Sequence, residues 1–174
     1  NIAIEYTVRS KPDGYTILVH AGSGIAASEA LLKTPPFNTG KQLRVAATIN
    51  RQAFMLIVPA DSPYKTLAEL TKAMKAKGSK ATYGSSSTQS RIAGSLYNKA
   101  ENIGAVEVQY KNGQDVVREM QSGAVDFSFA DPQMASMQAQ QGRVRLLAIC
   151  SGTRMDMAPD LPTMSELGYP QFNL

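Results

Sequence analysis

Apolar residues in this chain fall in short runs bounded by Gly, Pro, Asn, Asp and Ser, and between those runs they recur at helical spacing. Ile2, Ile4 and Val8 have that spacing with no capping residue ahead of them, so a helix is expected to be already under way at the first residue. The string KPDG at 11–14 is a turn, and YTILV at 15–19 follows as a strand. A Gly/Ser loop, AGSG at 21–24, leads into a short helix over 25–32. Strands are predicted over 43–49 and 54–58, separated by the polar residues 50–52. Thr66 and Glu69 then stand in capping-box spacing, and Leu67, Leu70 and Met74 form the apolar face of the helix they open. From there the pattern alternates: strand 80–83, helix 90–99, strand 105–110, a helix opened at 112–115 and stopped by Gly123, strand 125–129, a helix capped by Asp131 before Pro132, and strand 144–149. Such alternation predicts an α/β fold with a largely parallel sheet.

Composition narrows the function classes. The 174 residues, 43 % of them hydrophobic, suffice for one full domain or for a small domain with part of another. Eighteen Lys and Arg against fourteen Asp and Glu give a net charge of +4, and the basic residues are scattered along the chain. Scatter argues against nucleic-acid binding, while the mild positive balance suits an anionic ligand or simply a solvated surface. The single cysteine, Cys150, ends an apolar run and reads as a small buried hydrophobe, so neither a disulfide framework nor a zinc site is expected. No window is long and apolar enough for a membrane span, and no signal-type segment opens the chain, so an exported form would carry a leader outside these residues.

In an open α/β sheet, ligands sit where strands end and helices begin. Three junctions here are rich in Gly, Ser, Thr or Asp: 22–24, 85–90 and 130–132. A hydroxyl-rich loop entering a helix N-terminus suits an anion, because the first amides and the hydroxyls donate together and the helix dipole favours negative charge. The same residues also serve as ordinary caps, and Asp131 before Pro132 fits an N-cap. Catalytic constellations are poorly supported. His20 is the only histidine and reads as structural, no nucleophile elbow, zinc-protease or phosphate-loop motif occurs, and the serines at 85–90 have no evident base. Met134 and Met137 are expected to pack a core.

The strings KPDGYTIL at 11–18, YGSSSTQSRIAG at 83–94, VQYKNG at 108–113, QSGAVDF at 121–127, GRVRLLA at 142–148 and APDLPTMSELG at 158–168 resemble, in order, the tripartite tricarboxylate transporter substrate-binding proteins, the TctC-like Bug family. The resemblance implies a periplasmic-binding-protein-like α/β fold of the type II Venus-flytrap kind, with two lobes and a cleft. It implies residues 1–51 as part of lobe one, 52–149 as lobe two and 150–174 as a return to lobe one, with lobe one incomplete because further elements would precede residue 1 and follow residue 174. It also implies a periplasmic location, a small organic carboxylate as ligand, membrane transporter subunits as partners, a monomer, and neither a cofactor, a metal nor an enzymatic step. Carried over by position, the ligand contacts are Ser23 and Gly24 in lobe one, and Ser85, Ser86, Ser87, Thr88, Gln89, Ser90, Tyr110, Lys111 and Asp131 in lobe two. Where many relatives have Ser-His after a longer loop, this chain has Ser90 and Arg91, so Arg91 is either a replacement donor or a helix-surface residue. Two other classes share the lobed scaffold: the effector domain of a transcription regulator, preceded by a DNA-binding segment, and an enzyme, which would need a positioned base.

Overall fold

The computed structural model describes residues 2–22, 24–26, 32, 34, 36–50 and 52–172. The chain forms two units, Asn1–Arg51 and Gln52–Leu174.

In the first unit, α1 (Ile2–Arg9) carries a Glu5–Arg9 ion pair of 3.8 Å one turn apart. A short helix, α2 (Thr39–Gln42), is capped by Asn38, whose Oδ1 accepts from the Lys41 amide at 2.9 Å. The strands expected over 15–19 and 43–49 do not form: neither segment joins a sheet, and Tyr15, Ile17, Val19, Val45 and Ile49 are exposed. Their alternating pattern marks chain able to lie in a sheet, but a ladder needs a neighbour for its N–H and C=O groups, and none of the described residues of this unit supplies one. Of the helix expected over 25–32, Gly24, Ile25 and Ala26 are helical and 27–31 lie outside the described residues. His20 is exposed, its Nδ1 lying 3.0 Å from the Ala21 carbonyl oxygen.

The second unit is a five-stranded sheet covered on both faces. Its elements are β1 (Met55–Pro59), α3 (Leu67–Lys77), a 3-10 turn (Gly78–Lys80), β2 (Thr82–Ser85), α4 (Thr88–Ala100), β3 (Val106–Gln109), α5 (Gly113–Gln121), β4 (Phe127–Ala130), α6 (Pro132–Gln140) and β5 (Val144–Ile149). The strand order is β3-β2-β4-β1-β5. β2 runs parallel to β3 and β4, whereas β1 is antiparallel to both β4 and β5, so the sheet is mixed where a largely parallel one was expected. The apolar run of β1 carries no sign of direction, because a strand buried on both faces reads alike either way.

Alternation sorts the core. Leu56 and Val58 face one layer with Leu70, Met74, Tyr97, Phe127 and Phe129, while Met55 and Ile57 face the other with Val116, Val117, Met120 and Ala135. The capping box at α3 forms as its spacing predicts: Thr66 Oγ1 accepts from the Glu69 amide at 3.2 Å, and Glu69 Oε2 accepts from the Thr66 amide at 3.1 Å. Cys150 is fully buried, and burial pushes its thiol up to about 12. Met137 is exposed rather than in the core. At the far edge of the sheet, Arg145 donates to the carbonyls of Ala60, Ser62 and Tyr64 at 2.7, 2.7 and 3.0 Å, fixing the turn after β1.

Residues after Ile149 pack within the second unit as far as they are described. Ile149 bridges to Thr163, and Phe172 stacks on Phe129 at 6.0 Å. A polar latch joins this segment to α3 and α4: the Tyr169 hydroxyl donates to Glu101 Oε1 at 2.6 Å, and Lys75 Nζ lies 2.6 Å from Glu101 Oε2. Lys75, then the Tyr169 hydroxyl, hold the Glu101 carboxyl below its ordinary value, and burial, then Glu101, push the Tyr169 phenol up to about 12. The lowered carboxyl adds stability that is present above its ordinary pKa of 4.5 and lost as pH falls through the lower folded value. The raised phenol adds stability present below its ordinary 10 and lost as pH rises through about 12. Urea midpoints measured across pH are therefore expected to show a shallower acid limb in Glu101→Gln and a shallower alkaline limb in Tyr169→Phe. Limbs as steep as those of the parent would contradict the latch.

Candidate functional site

The carboxyl ends of β3, β2 and β4 lie side by side at one edge of the second unit, because the three strands are parallel and adjacent. Each opens directly into a helix, so α4, α5 and α6, of 13, 9 and 9 residues, present their N-termini along that edge. Their caps are Ser87, Asn112 and Asp131, whose side chains accept from the amides of Ser90, Asp115 and Met134 at 3.2, 2.9 and 2.9 Å. Three helix dipoles ending together add their partial positive charges, each about half a unit. The caps satisfy only one amide apiece, which leaves other first-turn donors for a bound anion.

The loop after β2 divides into an inner and an outer set. Ser85 is buried and its hydroxyl donates to Glu107 Oε1 at 2.6 Å; Arg91 Nε holds the other oxygen of that carboxylate at 3.2 Å. Arg91 is thus an ion-pair partner of Glu107. Ser90 is also buried. Its Oγ accepts from the amides of Ser86 at 3.0 Å and Ser87 at 2.9 Å and donates to the Ser87 carbonyl, so it shapes the loop from within. Ser87 is exposed, and Ser86, Thr88 and Gln89 are half-buried. The hydroxyls of Ser86 and Thr88 have no partner among the described residues.

Tyr110 follows β3, is half-buried, and donates its amide to the Ser85 carbonyl at 2.8 Å; burial, then the charge of Glu119, raise its phenol, which stays protonated at neutral pH. Lys111 is exposed beside it. Asp131 is half-buried, with one carboxylate oxygen committed to its cap. The edge thus brings together Ser85 to Ser90, Tyr110, Lys111 and Asp131. Gly24 belongs to the first unit, and Ser23 lies outside the described residues. Asn112, Gly113 and Met134 belong to the same edge but are not among the expected ligand contacts, since 112–115 reads from the sequence as a helix start and Met134 as a core residue.

A depression of about 300 Å³ lies elsewhere, along α1, lined by Ile2, Glu5, Tyr6, Arg9 and Ser10. It lies against a single helix whose one carboxylate is already paired with Arg9, so it gathers no convergent donors. Among the described residues no group of three His, Cys, Asp or Glu could hold a metal, and no helix is long and apolar enough to cross a membrane.

A mixed sheet covered on both faces, with helix N-termini gathered at the carboxyl ends of its parallel strands, fits one lobe of a periplasmic-binding-protein-like α/β fold. A solved structure described as a periplasmic transporter superposes with a TM-score of 0.86 at 28 % identity, covering 99 % of this chain and 59 % of that one. The chain belongs to the family described as the tripartite tricarboxylate transporter family receptor, whose model matches residues 1–174. This is a receptor family, and the match speaks for solute binding over the regulator reading. Among curated relatives, the "UPF0065 protein in gbd 5'region" of Cupriavidus necator is 31 % identical over 161 residues, 90 % of this chain and 48 % of its own. Protein BugT of Bordetella pertussis is 24 % identical over 174 residues, 98 % of this chain and 53 % of its own. The chain spans about half the length of the curated relatives it matches. The fold is shared further with Rpa4515 of R. palustris, solved with adipate, at a TM-score of 0.87 and 23 % identity over 99 % of this chain and 58 % of that one. MatC of Rhodopseudomonas palustris, solved with malate, gives 0.81 and 20 % over 99 % and 60 %.

Proposed function

We propose that the protein is the periplasmic solute-binding component of a tripartite tricarboxylate-type transporter, that it captures a small organic carboxylate at the helix-lined edge of its second unit, and that it hands the ligand to membrane subunits without chemical change. The observation that carries this reading is the convergence of three helix N-termini on one sheet edge together with the outward hydroxyls of the 86–88 loop. Such an edge offers hydrogen-bond donors and partial positive charge, which suits reversible capture of an anion. Bound malate in MatC and bound adipate in Rpa4515 support a carboxylate as the ligand class. Thr88, Ser86, Ser87, Gln89, Tyr110 and Lys111 are the proposed contacts to the carboxylate in this unit, and Asp131 is proposed to accept from a ligand hydroxyl, amine or bound water; Ser85 and Ser90 would act by holding the loop. Ser23 and Gly24 are candidates through the family likeness alone. The protein is proposed to act as a monomer, with lobe one comprising the first unit completed by chain outside residues 1–174.

A thermal-shift screen of the natural full-length protein against small organic acids tests the reading. At least one carboxylate is expected to raise the melting temperature with concentration, by about 2.7 kcal/mol of added stability at a hundredfold excess over its Kd. A panel that moves nothing would overturn the proposal.

A further inference from the structure

The helix-lined edge is not polar throughout. Met134, in the first turn of α6, is half-buried, and its side chain reaches the start of α5: a Cβ placed on Gly113 would stand 2.7 Å from Met134 Cε. The end of the Met134 side chain therefore lies against Gly113 at the start of α5, in space that a side chain on residue 113 would contest. Tyr110, three residues earlier, and Ala53, two residues before the Met55 that pairs with Ala130, are partly buried against the same core cluster. The 86–88 loop opens α4, which packs on the opposite face of the sheet. The edge is thus two-sided, with hydroxyls and amides over the α4 face and a partly exposed thioether and phenol ring over the α5 and α6 face, and Asp131 at the end of β4 between them.

We infer that Met134 and Tyr110 form an apolar wall that selects the carbon skeleton of the ligand, so that the site takes carboxylates carrying a hydrocarbon segment extending across the sheet edge from the carboxylate group. The inference rests on the carboxylate reading of this edge and deepens it. A partly exposed methionine suits the task, since its unbranched, polarisable chain adapts to ligands of different shape. Each methylene laid on this wall removes apolar surface from water and is expected to improve affinity about fourfold. Asp131, one oxygen of which faces no partner among the described residues, opposes a second carboxylate placed directly beside it, so a diacid would need its far carboxylate carried clear of that point.

The test is calorimetric titration of the full-length protein with acetate, butyrate and hexanoate, and in parallel with succinate and adipate. Affinity is expected to rise with chain length in the parent. In Met134→Gln the ratio of hexanoate to acetate affinity is expected to fall by about tenfold, and Met134→Leu is expected to retain it. Gly113→Ala pushes the flexible end of Met134 into the site at little cost to folding, and is expected to weaken the longer acids most. Carboxylates that bind with a chain-length dependence unaffected by Met134→Gln would overturn the wall while leaving the carboxylate site standing. If neither series binds the parent, the carboxylate reading of the edge fails and the wall fails with it.

Discussion

Replacing Phe127 by alanine is expected to lower the unfolding free energy by about 3–5 kcal/mol, read from urea denaturation of the full-length protein. The ring is fully buried at the centre of an aromatic cluster: Tyr83 stacks on it at 5.7 Å, Tyr97 meets it edge-on at 5.4 Å, and Phe129 lies at 6.5 Å. Cost depends on how far neighbours relax into the space left behind, and here they are held. Tyr83 lies against Gly94, where an added Cβ would stand 2.4 Å from its ring, so that ring is sandwiched between helix α4 and Phe127. Tyr97 is tied through its hydroxyl to Thr71 at 2.7 Å, and burial raises its phenol so that it stays protonated. With both neighbours fixed, the cavity stays open and the loss belongs to the upper part of the range. A loss under about 1 kcal/mol would mean the cluster collapses freely, contrary to the packing described.

Thr88→Val is expected to weaken carboxylate binding by about 1.5–3 kcal/mol, or roughly ten- to hundredfold, through loss of one hydrogen bond to a charged group. The substitution preserves shape and leaves the helix cap untouched, because the cap is Ser87. Ser87→Ala is the less clean variant: it removes the acceptor of the Ser90 amide and is expected to cost about 1 kcal/mol of stability whatever the loop binds. Unfolding midpoints measured beside the calorimetry separate the two effects. Thr88→Val that binds as the parent does would remove this hydroxyl from the site.

The elements of the second unit were legible because their signals are local. The capping box at Thr66 and Glu69, the Asp131-Pro132 start of α6 and the doubly buried run of β1 each need only a few neighbouring residues to be recognised. Contacts distant in sequence were not legible. Ser85 reads as a ligand hydroxyl until Glu107, on the neighbouring strand, claims it. Arg91 had two open roles for the same reason. The direction of β1 depends on which strands it pairs with, and residues 15–19 and 43–49 show that a strand-like pattern without a ladder partner forms no strand. The approach of Met134 to Gly113 joins two helices and leaves no trace in either alone.

Backbone amide chemical shifts of the nitrogen-15-labelled full-length protein, followed while the carboxylate with the largest thermal shift is titrated in, test most directly whether an anion docks at the helix-lined edge. The largest saturable changes are expected at Ser86, Thr88, Lys111, Gly113 and Asp131. Changes confined to other surfaces, such as α1, with this edge unmoved, would contradict that docking.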